Sequence, residues 1–161
     1  MTDLRRVIEL AAAPAVVWAR LWDISALASC IPGCDGVELV DDRKRYRATI
    51  RDRVGPFRIA IPLDVTVEAT TPNHLSVIAT GLDATLGSPV KVGLTVTLEP
   101  RPDGGSCLRV NGQADIGGKL AALGQGVIQR KTRDVLDQFA TNLEALFIGG
   151  RVGSGEAPAS P

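Results

Sequence analysis

His74 is the only imidazole this chain carries, and that scarcity removes much acid–base and metal chemistry at once. It follows Pro72-Asn73 in a turn signal, where a solvated loop histidine is expected and no imidazole base faces a substrate. Charge of one sign is also missing: eighteen basic residues balance eighteen acidic ones, so no long-range field draws nucleic acid or an anionic surface. No apolar run approaches the ~18 residues that cross a bilayer. The opening MTDLRRVIEL lacks the apolar core of a signal peptide. Cysteine is limited to Cys30, Cys34 and Cys107, which cannot all pair with one another. A reducing, cytoplasmic setting is therefore expected. The stretch CIPGC places two thiols around a Pro-Gly turn, but zinc wants four ligands in closed geometry. Cys107 falls on the outward parity of its strand and His74 at the far end, so neither a metal nor a covalent cofactor is expected. Ser88 and Thr85 have no histidine partner for nucleophilic work, and no Gly-rich loop has phosphate-binding spacing. We read no catalytic residue in the chain.

Aromatic side chains are scarce as well, at 4% of the residues: Trp18, Trp22, Tyr46, Phe57, Phe139 and Phe147. Small aliphatic residues must fill the interior. A long sheet lined by Val, Ile and Ala fails to fill its own volume, and the space left over suits a ligand.

What is present is a run of period-two patterns between helical ones. Residues 4–11 alternate as a first strand. Ala13-Pro14 opens a helix, with Pro where its missing N–H costs little, and Val17, Leu21 and Ile24 mark one face. A second short helix, about 25–30, ends at Pro32-Gly33. Residues 36–41 and 44–53 read as a hairpin around Asp41-Asp42. Residues 57–69 are apolar at every odd position from Phe57 to Val67, one face buried and one wet; Pro62 within them suggests an edge or a bulge. Strands follow at 74–82, 89–99 and 106–116. A helical stripe then runs from about 119 to 147, some 40 Å at ~1.5 Å per residue. The order predicts an α+β fold, a seven-stranded antiparallel sheet wrapped around a long C-terminal helix, with two short helices after the first strand. We expect one domain over 1–148 and a disordered Gly/Pro/Ala/Ser tail over 149–161.

Strand parity gathers four segments at one mouth: Ile31-Pro32-Gly33, Val54-Gly55-Pro56, the loop 81–88, and Gly117-Gly118-Lys119. All contain glycine, which permits close backbone approach. The inward registers make a wall of Tyr46, Ala48, Ile50, Phe57, Ile59, Ile61, Leu63, Val77, Ala79, Val92 and Leu94. The helix adds Leu120, Leu123 and Val127, and Ile31 and Pro32 form a lip. Each of these residues alone also reads as ordinary core. Gly124 and Gly126 fall inside the helical stripe at up to ~1 kcal/mol each against Ala; room for a ligand beneath the helix and tight helix–sheet packing both explain them. Tyr46 would offer one polar handle inside. Asp52 shares its parity near the mouth, as a head-group contact or a solvated strand end. Arg130, Lys131 and Arg133 form a basic helix stretch, read as a solvated face or a docking surface for an acidic partner.

The words VWARLWDISALASCIPGC (17–34), VGP (54–56), GGKLAALGQGVIQRK (117–131) and DQF (137–139) resemble the CoxG family of carbon monoxide dehydrogenase subunits, over residues 4–147. The resemblance implies the START-like (SRPBCC) helix-grip fold. It implies a non-catalytic accessory protein, encoded with molybdenum hydroxylases of the carbon monoxide dehydrogenase type. The implied roles are membrane recruitment of the enzyme and handling of a hydrophobic electron carrier. A quinone or other lipid-like molecule is then the expected guest, and molybdenum hydroxylase subunits the expected partners. Nucleic acid is not expected. Longer members continue through a Pro/Ala-rich linker into an apolar C-terminal segment, so peripheral contact with the inner face of the cell membrane is expected to run through such an extension. Two other readings are a ligand-free assembly or recruitment adaptor and a polyketide cyclase-like enzyme. The last conflicts with the lack of inward polar groups.

Overall fold

The computed structural model describes residues 2–148; the tail expected over 149–161 lies outside the described residues. The elements run β1 Thr2–Leu10, α1 Pro14–Leu21, α2 Ile24–Cys30, β2 Cys34–Asp41, β3 Arg45–Val54, β4 Phe57–Thr71, β5 His74–Leu82, β6 Pro89–Pro100, β7 Ser106–Ile116, α3 Gly118–Ala121 and α4 Gln125–Ile148. Pro14 opens α1, and the Asp23 carboxylate caps α2 by accepting the Ala26 N–H, one of the donors that a helix start leaves unpaired.

All seven strands form one antiparallel sheet in the order β1-β7-β6-β5-β4-β3-β2. The meander from β2 to β7 uses hairpins, while α1 and α2 carry the chain from β1 at one edge to β2 at the other. α4 packs most closely on β1 and α2 and also touches β3. Contact with strands near both edges requires the sheet to curl around the helix. Two glycines on the inner face allow that curl. A Cβ at Gly81 would collide with the Pro62 carbonyl, and one at Gly112 with the Gly93 carbonyl, so neighbouring strands approach there closer than any side chain permits.

The core divides in two. One cluster joins Ile8, Leu10, Val17, Leu21, Leu98, Leu108, Val110, Ala140, Leu143 and Phe147, where α1, α2 and the C-terminal half of α4 meet β1, β6 and β7. The other joins Val54, Ile59, Ile61, Val90, Leu120 and Ile128 at the opposite end of the sheet.

Three expectations change. The single helix over 119–147 is two helices, because Gly124 takes φ +98° and breaks the chain between α3 and α4. Pro62 lies in an interior strand, but the β4–β5 ladder begins only at Leu63↔Gly81, so residues 57–62 pair with β3 alone. The missing Pro62 N–H therefore stands beyond that ladder, and the bulge of β4 comes separately, between Val67 and Ala69. His74 is not a loop residue: it begins β5, half-buried, opposite Thr71 and Thr97.

Replacing Gly112 by Ala should cost about 3 kcal/mol, the upper range for forcing a methyl into a filled site. Gly93→Ala, where a Cβ meets nothing within 4 Å, should stay within about 0.5 kcal/mol. Urea unfolding of the two variants against the parent checks both values.

Candidate functional site

The four segments assigned to the mouth do come together, and specific bonds hold them. The Gly33 carbonyl accepts the Arg51 N–H at 2.8 Å, which docks the Ile31-Pro32-Gly33 lip on β3. Gly33 has φ +78°, and a Cβ there would press on the Arg51 carbonyl. Gly55, in the β3–β4 turn, lies so that a Cβ would sit 3.5 Å from Leu123 Cδ1. Gly117 donates to the Pro89 carbonyl at 3.0 Å.

The loop after β5 is pinned by two buried polar groups that strand parity alone did not single out. Asp83, 1% exposed, accepts the Ala60 N–H at 2.8 Å and the Leu86 N–H. Ala84 donates to the Ala60 carbonyl at 2.8 Å. Where the β4–β5 ladder ends, this loop takes over both hydrogen-bonding groups of Ala60, as a buried strand edge requires. The one sequence signal is Asp three residues before Leu86, the spacing of a side chain that closes its own turn. Ser88 is fully buried, and its Oγ accepts the Leu120 N–H at 3.1 Å. It caps α3 from a distant loop, because Gly117 at the helix start has no side chain to do so.

Of the expected wall, Phe57, Ile59, Ile61, Val92, Leu120, Leu123 and Val127 meet in the mouth-end cluster, together with Val54, Val90 and Ile128. Leu94 packs against the other cluster. Ile50, Val77 and Ala79 belong to neither; they lie on the inner face between the two and remain half-buried. So do Ala48, Val65 and Val67 along the same floor, while Leu63 packs against the mouth-end cluster. Ile31 and Pro32 are half-buried at the rim. Tyr46 is buried, but its hydroxyl accepts the Arg43 N–H at 2.8 Å, in the β2–β3 turn away from the mouth, so the polar handle is occupied locally. Gly124 is not a mid-helix glycine. A Cβ at Gly124 or Gly126 would meet nothing within 4 Å, so tight packing explains neither, and the positive φ is what position 124 demands.

Asp52 sits neither in open solvent nor alone. Its Oδ2 lies 2.8 Å from Lys131 Nζ, so a residue of the basic stretch reaches back from α4 to β3. Arg6, on the inner face of β1, lies 3.7 Å from Asp137 of α4. The outer face carries an open depression of about 930 Å³ lined by Asp35, Glu38, Arg47, Pro62, Asp64 and Leu82 among others. Its charges are matched, with Arg47 against Asp64 and Glu38 and Arg51 against Asp35.

The Ser88 oxygen is buried and accepts a helix N–H, and His74 lies at the other end of the sheet. Burial pushes the Cys30 thiol up from its ordinary value, which keeps it protonated at neutral pH. No group of three or more His, Cys, Asp or Glu side chains suited to a metal occurs among the described residues.

A profile of the CoxG family of carbon monoxide dehydrogenase subunits matches residues 7–147, and the chain belongs to that family, one of accessory subunits. No curated protein matches it. Among solved structures, a conserved protein from Geobacillus kaustophilus superposes with a TM-score of 0.81 at 23% identity, covering 92% of this chain and 96% of that one. A START superfamily protein from Mycobacterium smegmatis superposes with a TM-score of 0.69 at 13% identity, covering 91% and 97%. These likenesses establish the START-like fold.

Asp83→Ala would strand the part-buried N–H groups of Ala60 and Leu86 and should cost about 2 kcal/mol, read by thermal unfolding. At the lip, Gly33→Leu should destabilise by at least about 1 kcal/mol through φ strain alone, whereas Cys34→Ser, at a half-buried thiol, should shift stability by less than about 0.5 kcal/mol. Equal effects of the two lip variants would contradict the assignment of Gly33 as the constrained position.

Proposed function

We propose that this CoxG-family protein is a non-catalytic accessory of a molybdenum hydroxylase of the carbon monoxide dehydrogenase type, and that it carries a hydrophobic molecule, a quinone, between the sheet and α4. One observation supports the carrier reading above the rest. A strip of inward-facing aliphatic side chains, from Ile50 through Val65 and Val67 to Val77 and Ala79, stays half-buried between two filled clusters. Ordinary core packing leaves few such gaps. An apolar floor of half-buried side chains suits a flat or chain-like hydrophobe.

The quinone follows from pairing that floor with the partner named by the family. An oxidoreductase needs an electron acceptor, and an acceptor that dissolves in membranes needs apolar cover in water. Delivery to a membrane would be peripheral for the described residues, since none of their helices is long and apolar enough to cross one. The mouth formed by Ile31-Pro32, Gly55 and Leu123 would be the passage.

Solvent extraction or native mass spectrometry of protein purified from its host should reveal a co-purifying hydrophobe. Ala79→Phe, which fills the floor, should lower that occupancy at least tenfold, about 1.4 kcal/mol, while pull-down of the hydroxylase persists. An empty parent protein with unimpaired support of the enzyme would replace the carrier with a ligand-free adaptor.

A further inference from the structure

We infer that the Asp52–Lys131 pair is the polar end of the guest site, and that it selects a neutral molecule whose hydrogen-bond-accepting oxygen sits beside a hydrophobic body. This rests on the carrier reading above and specifies its ligand. Asp52 occupies an inward position of β3, cross-strand from buried Ile59 and beside the lip, where a Cβ on Gly33 would lie 3.6 Å from its own Cβ. Lys131 follows Val127 by four residues and Ile128 by three, so it shares the α4 face that packs on the mouth cluster. The two side chains are 24% and 32% exposed, so they meet at the boundary between the apolar floor and water.

Their remaining bonding capacity is lopsided. Asp52 is well served: Oδ2 meets the ammonium and Oδ1 accepts the Arg53 N–H at 2.7 Å. Lys131 has three N–H donors, and Asp52 is the partner found for it. An acceptor oxygen at the mouth end of the floor can therefore take a donor without displacing the carboxylate. The charge balance adds a second condition. The pair is neutral, so a fatty carboxylate would have to compete with Asp52 for the ammonium, whereas a carbonyl or ether oxygen need not.

The probes are 2-methyl-1,4-naphthoquinone carrying a geranyl side chain, and 2-methylnaphthalene carrying the same side chain, titrated into the delipidated full chain by calorimetry. The parent should bind the quinone about tenfold more tightly than the carbonyl-free probe. Lys131→Met, which keeps the aliphatic stem, should erase that preference and leave the affinity for the naphthalene unchanged. The double variant Asp52→Asn/Lys131→Met removes any unpaired charge and should behave the same way. Lys131→Arg, which keeps a cationic donor, should retain the preference. A merely structural ion pair would change stability, read in parallel by thermal unfolding, without touching the discrimination between probes. Equal binding of the two probes by the parent, or a preference that survives Lys131→Met, would overturn this inference while sparing the carrier reading. Failure of the parent to bind either probe would overturn both.

Discussion

The fold depends on how closely its strands approach where the sheet curls. α4 has to meet β1 and β3, near opposite edges of one seven-stranded sheet, and the strands bend past one another at Gly81 and Gly112, where no side chain fits. Along the same curl, several inner-face residues of β3, β4 and β5 stay half-buried. Ala48 and Ala79 put only small side chains on that face, and the two hydrophobic clusters stay apart. The curl and the half-buried strip thus share one face of the sheet, where the guest site is proposed.

Asp83 and Ser88 convert that curled sheet into a defined mouth. β4 outlasts β5, which leaves one side of Ala60 facing a loop instead of a strand. A buried carboxylate is a costly choice for covering an edge, tolerated because it accepts two backbone N–H groups at once. Ser88 continues the same loop into α3. Gly124 then lets the chain leave α3 at a positive φ and begin α4 in a new direction. A polar loop, a four-residue helix and one left-handed glycine together set where Leu120 and Leu123 lie over the floor.

Much of this was legible in the chain. The odd-position apolar run from Phe57 to Val67 predicts β4, and it is a strand with the odd residues inward. Parity counting placed the lip, the β3–β4 turn, the loop 81–88 and Gly117-Gly118 at one end, because antiparallel hairpins alternate ends without exception. The words CIPGC and GGKLAALG carried the family. The break at Gly124 was not legible, since the apolar spacing from Leu120 to Val127 reads as continuous helix and a glycine shows its φ only when folded. Tyr46 shows a similar limit: parity turned it inward, but its hydroxyl finds the Arg43 N–H through a turn geometry that period-two counting does not contain.

The sequence by itself determined which residues face in and which face out, where the chain turns, and that the interior would be aliphatic. These follow from local periodicity and from composition, which need no knowledge of distant neighbours. Only the tertiary structure decided which inward residues are filled core and which are half-buried floor, because that depends on how near α4 comes to each strand. It also decided the partners of Asp83, Ser88, Asp52 and Lys131. Each bonds a residue between 23 and 79 positions away or, for Asp83 and Leu86, across its own turn, and a long-range hydrogen bond leaves no periodic trace in the chain that makes it.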